Sequence, residues 1–174
     1  MTSSKERLDE FRNKCLEQSE DERPGAVRLD TPAERKQEAE RCWNQADFHQ
    51  TAAVDNLTGA AKLMAIRQGY YVMLHKSNQA LALAGFSPKN HRCTLLGVRG
   101  VFDAPELADQ LRRASKERNN VDYGMNPNDP QLQEFDAPRS FLTNTVEPFI
   151  RSIDDSIEEE LRTDEWSSGP TFDL

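Results

Sequence analysis

Apolar residues recur at helical spacing along most of the chain and are concentrated between about residues 57 and 153. Residues 3 to 19 carry a narrow stripe, Leu8, Phe11, Cys15 and Leu16, which Asp21-Glu-Arg-Pro24-Gly25 interrupts. Thr31-Pro32-Ala33-Glu34 then reads as a helix start, with a capping hydroxyl, a first-turn proline and a glutamate three residues on. That helix should run to about Asn56, with Ala39, Cys42, Trp43, Ala46 and Ala53 on its inner face. From about Gly59 to Ala84, Leu63, Ile66, Tyr70, Met73, Leu74, Ser77 and Leu81 keep the 3, 4 spacing, and Gly85 supplies the stop. Shorter helices are expected from Pro88 to about Phe102 and, after Pro105, from Glu106 to Tyr123. Asn126-Pro-Asn-Asp-Pro130 excludes helix. Pro138 opens a last helix that Pro148 should kink or divide.

No valine- or isoleucine-rich alternating run occurs, so the pattern predicts an all-α fold: an up-and-down four- or five-helix bundle with an extra N-terminal helix. The expected organisation is an N-terminal helical extension over residues 1–30, the bundle over 31–162, and a disordered tail over 163–174, where Ser167-Ser-Gly-Pro170 lies. No internal repeat is visible.

At 174 residues the chain is long enough for one domain with a core of its own. The mean hydropathy of −0.80, a charged N-terminus and no long apolar run predict a cytoplasmic protein without membrane contact. Cys15, Cys42 and Cys93 lack metal-type spacing and are odd in number, so reduced thiols are expected, with neither a disulfide scaffold nor a metal site. No cofactor motif is present: there is no phosphate-cradling glycine loop, no HExxH and no serine elbow. A net charge of −8 argues against a protein that coats nucleic acid. The sign is uneven, however. Seven basic residues against four acidic ones make residues 89–118 locally +3, leaving −11 on the remainder. This is either a local anion site or a scatter of solvated arginines on an amphipathic helix.

The candidate chemistry gathers in Arg118-Asn-Asn-Val-Asp-Tyr123, just before Gly124. Arg118 offers a permanent cation able to grip phosphate bidentately. Asp122 is a proton acceptor whose basicity an adjacent guanidinium reduces, and Tyr123 is a hydrogen-bond or proton donor. On a regular helix Arg118 and Asp122 sit ~40° apart, whereas Arg118 and Tyr123 diverge by ~140°. The same residues can equally form a plain i, i+4 ion pair with Tyr123 packed at the helix end. His75 has two readings as well: a half-buried histidine with a satisfied hydrogen bond, or an imidazole facing Arg118 across the bundle. His91 and His49 read as surface or capping residues, and Tyr70 and Tyr71 as core.

In order and spacing, Tyr70-Tyr-Val-Met-Leu-His75, Gly85-Phe-Ser-Pro-Lys-Asn-His91 and Arg118-Asn-Asn-Val-Asp-Tyr-Gly124 resemble the small stand-alone prokaryotic HEPN family, over about residues 38 to 160. The resemblance implies a helical bundle that forms a homodimer and brings two arginine motifs to a shared cleft. Many members are metal-independent ribonucleases of toxin-antitoxin or defence systems. Others bind a nucleotide or pair with a nucleotidyltransferase antitoxin, for which Tyr123 would be the acceptor. It implies catalytic roles for Arg118, Asn119, Asp122 and Tyr123, aided by His75, with RNA or a nucleotide as ligand. The family's nuclease signature ends on a histidine; here Tyr123 stands in that position, and no histidine follows Arg118.

Overall fold

A computed structural model of the chain describes residues 2–17, 24–59, 62–123 and 137–157. The segment 126–130, expected to be non-helical, and the tail from 163 lie outside the described residues. The helices are α1 (Ser4–Phe11), α2 (Pro32–Thr58), α3 (Met64–Leu83), α4 (His91–Val101), α5 (Pro105–Tyr123), α6 (Ala137–Phe141) and α7 (Glu147–Asp155). A π turn extends α1 over Arg12–Leu16, and another joins α6 to α7 over Leu142–Val146. The latter is where Pro148 makes itself felt. A proline has no N–H to donate and crowds the carbonyl four residues back, so the wider turn ahead of it lets the helix continue with Pro148 in the first turn of α7.

α3 is the axis of the bundle. Fourteen of its twenty residues are buried, Val72, Met73, Leu81 and Ala82 without exposure, because neighbours cover it on several sides. α2 runs antiparallel to it: His49 meets Gln68, and Arg35 meets Gly85, at opposite ends of the hairpin. The start of α2 is the capping box written in its sequence, with Thr31 Oγ1 accepting from the Glu34 amide and the Glu34 carboxylate accepting from the Thr31 amide. Leu111 and Ala114 from α5, and Phe149, Ile150 and Ile153 from α7, complete the main core. Within that core Lys76, 1% exposed, meets Asp154 of α7 at 2.9 Å.

Two features depart from the sequence reading. The first is a small antiparallel sheet, β1 (Ala26–Arg28) with β2 (Phe86–Pro88), in register Ala26 to Pro88 and Arg28 to Phe86. Strands of three residues carry too little alternation to be read as a pattern. Gly85 turns α3 into β2 with φ +93°, a conformation open to glycine. The Ser87 hydroxyl then donates to Glu38 of α2 at 2.6 Å. Glu38 is held down to about 2 by its hydrogen bond from Arg41, with the Ser87 bond adding to the effect.

The second departure is a disulfide. Cys15 and Cys93 are joined, their Cα atoms 5.8 Å apart, so the expectation of three reduced thiols is corrected; Cys42 alone is free, and buried. The bond ties the π turn after α1 to the first turn of α4. Phe11, Cys15, Ala26 and Cys93 form a second small core there, beneath Phe86. α1 is further fixed by Ser4 and Arg7, both of which hydrogen-bond Asp103. Among the described residues no helix is long and apolar enough to cross a membrane.

Candidate functional site

α5 places Arg118 and Asp122 one turn apart, facing α3. The Arg118 guanidinium carbon lies 5.3 Å from the Tyr70 ring centre and 5.9 Å from that of Tyr71. Nη1 reaches Asp122 Oδ2 at 3.4 Å, a long contact. The other oxygen of Asp122 is 3.7 Å from Nε of Arg67, whose own guanidinium stands 6.0 Å over Tyr71. The i, i+4 pair anticipated from sequence is therefore present, yet Arg118 is not abandoned to solvent. Its side chain is 18% exposed, and Nε is buried without a hydrogen-bond partner. Two guanidinium groups against one carboxylate leave this corner with a net positive charge. The faces of two tyrosines stabilise such charge by ~0.5–2 kcal/mol per contact.

The imidazoles converge on the same tyrosines. The Tyr70 hydroxyl is 3.0 Å from Nδ1 of His91, the first residue of α4, which Asn90 caps. Tyr70 itself is 1% exposed, and burial pushes its phenol above the usual tyrosine range, so it stays protonated. His91 faces outward beyond it. Its pKa is held below the ordinary histidine value by burial of the ring against Tyr70 and then by the Arg118 charge. Arg118 and His91 thus act on each other across one buried phenol.

His75 sits beside this pair. Its ring stacks on His49, 5.3 Å away and within 4° of parallel, and His49 stacks on Tyr71 at 4.9 Å. Burial, reinforced by His49, Arg41 and His91, lowers His75 to about 4, so it is neutral at physiological pH. Neither sequence reading of His75 is met in full. Its Nδ1 is buried without a hydrogen-bond partner, and Tyr71 lies between it and Arg118. His49 is anchored by Gln68 Oε1 at 2.6 Å from Nδ1, which therefore carries the proton.

Of the residues singled out from sequence, Arg118 and Asp122 are together, His75 is one ring removed, and Asn119 is exposed. Tyr123 is the last residue of α5, and its side chain lies outside the described residues. Sequence reasoning missed Arg67, His49, His91 and the bridging role of Tyr70 and Tyr71. One signal was available: Arg67, Tyr71 and His75 recur every four residues and so share a face of α3. No such spacing marks His91, which comes from another helix.

Compared with family models, curated proteins and solved structures, the chain matches none. The cluster must be read from its own chemistry. It offers a fixed cation held on aromatic faces and an imidazole neutral at physiological pH and tuned by that cation. Among the described residues no group of three or more His, Cys, Asp and Glu side chains is arranged to hold a metal ion.

Proposed function

We propose that the chain is a HEPN-like ribonuclease of the toxin or defence kind, cleaving RNA without a metal at the cluster of Arg118, Tyr70 and His91. One observation carries the reading: His91 meets Arg118 across the Tyr70 phenol, so the imidazole missing from the linear motif is supplied from α4. In this reading Nδ1–H of His91 donates to the Tyr70 oxygen, which leaves the Nε2 lone pair as the working base. That nitrogen takes the proton of a ribose 2′-hydroxyl, and the freed oxygen attacks the adjacent phosphorus. Arg118 stabilises the charge on the phosphorane oxygens. The 5′-oxygen leaves with a proton from Tyr123 or solvent, giving a 2′,3′-cyclic phosphate. A homodimer joining two such clusters is part of the proposal.

Purified protein incubated with total RNA in EDTA tests it. Cleavage leaving cyclic phosphate ends is expected, falling by a factor of ~10²–10⁴ in His91→Ala and Arg118→Ala. Intact RNA with the unmodified protein refutes the nuclease reading. The contact between Arg118 and Asp122 favours a second one, a catalytically silent module that binds a nucleotide or a partner nucleotidyltransferase. In that case nucleotide binding, measured by fluorescence anisotropy, is lost in Arg118→Ala while RNA stays uncut.

A further inference from the structure

At the end of the bundle remote from His49 and Gln68, a cavity of about 410 Å³ opens between α2, α3, the end of α4 and the end of α7. Ala80, Leu83 and Ile157 line it, each at most 8% exposed, together with Val101 and Phe102. Among the described residues the cation on its lining is Arg35, half-buried in the first turns of α2. Its guanidinium is held rather than mobile. Nε donates to the Leu29 carbonyl at 3.0 Å, and the group lies against Gly85, where a Cβ would stand 3.3 Å from Cζ, Nε and Nη2. Gly85 thus serves twice, turning the chain and leaving room for the guanidinium. Among the described residues no carboxylate pairs with Arg35, in contrast to Arg7, Arg41, Arg112 and Arg151.

We propose that this cavity is a binding site for a small aliphatic carboxylate, its head group on Arg35 and its chain along Leu83, Phe102 and Ile157. A fixed guanidinium beside a hollow whose other lining side chains, Ser156 apart, are apolar is matched by a single negative charge on an apolar body: a charge-assisted, bidentate contact at one end and burial against Leu83, Phe102 and Ile157 at the other. One cation does not balance a dianion. A neutral aliphatic molecule would leave the guanidinium without its anion. The volume falls within the ~300–1,000 Å³ usual for small-molecule sites. The site shares no residue with the Arg118 cluster and does not depend on the ribonuclease reading.

Titration calorimetry of the full chain with decanoate, kept below its micelle-forming concentration, tests the proposal. Saturable one-to-one binding is expected, weakened at least about tenfold in Arg35→Gln, where a charge-assisted contact is lost. Decanol should bind about tenfold more weakly than decanoate to the unmodified protein, for the same reason. Lys36→Gln, removing an exposed neighbouring cation, should leave affinity unchanged. Ala84 also lines the cavity, so Ala84→Phe fills it and should abolish binding with the circular dichroism spectrum preserved. No saturable binding, equal affinity for decanol, undiminished binding in Arg35→Gln, or binding that survives in a folded Ala84→Phe protein would each overturn it.

Discussion

The pairing of Lys76 with Asp154 joins the two helices that flank much of the core, and its two members are unequally buried: Lys76 is 1% exposed and Asp154 21%. Their 2.9 Å approach is bent away from the hydrogen-bond direction, so charge attraction is the main link between the two groups. The consequence is an asymmetry. Asp154→Asn keeps shape but leaves an ammonium group sealed in the core, and stranding a buried charge costs ~3–5 kcal/mol. Lys76→Met keeps the buried stem and leaves a carboxylate that water can reach. Its cost should be ~1–2 kcal/mol, the range for a polar group left imperfectly satisfied. The double variant removes both charges and should lie within ~1 kcal/mol of the parent. Against a domain stability of ~5–15 kcal/mol, the first change is severe and the others are mild. Urea denaturation of the four proteins at pH 7 measures all of this as one double-mutant cycle. If Lys76→Met proves more damaging than Asp154→Asn, the burial argument is wrong.

Further outcomes are expected elsewhere in the molecule. His75 has a folded pKa of about 4 against an ordinary 6.5, so the unfolded chain binds its proton first. Its contribution of ~3 kcal/mol is complete above pH 6.5 and lost as the pH falls toward 4. Denaturation midpoints at pH 7 and 4.5 should converge in His75→Phe, and an unchanged gap argues against it. Gly100→Ala places a Cβ 2.6 Å from the Arg7 carbonyl oxygen, a backbone atom that cannot swing aside. Overpacking of ~1–3 kcal/mol should outweigh the ~1 kcal/mol gain in helix propensity, lowering Tm; a raised Tm refutes the close crossing of α1 and α4. Replacing Cys15 and Cys93 by serine should cost ~2–4 kcal/mol, since the cross-link spans 78 residues. Intact mass with and without reductant first verifies the bond through a two-hydrogen difference.

Local signals in the sequence carried most of the helix framework. The capping box at Thr31, the glycine stop at Gly85 and the apolar spacing of α3 act within a few residues, and each is found in the structure. Pairings between distant segments were not legible. Cys15 and Cys93 lie 78 residues apart with no spacing to link them, and β1 meets β2 across nearly sixty residues of intervening chain. The candidate site divides along the same line. Arg118 and Asp122 are neighbours by helical periodicity, whereas His91 reaches Tyr70 only because α4 packs beside α3.

That division bears on how the cluster comes together during folding. His49, Tyr70, Tyr71 and His75 all belong to one helical hairpin, whose contacts close over short stretches of chain and so form early. Arg118 and the third imidazole arrive from later segments. A partly folded chain holding only that hairpin would keep its stacked rings and the Arg67 guanidinium over Tyr71, so the contact of Arg118 with Tyr70 would report docking of α5 rather than helix formation.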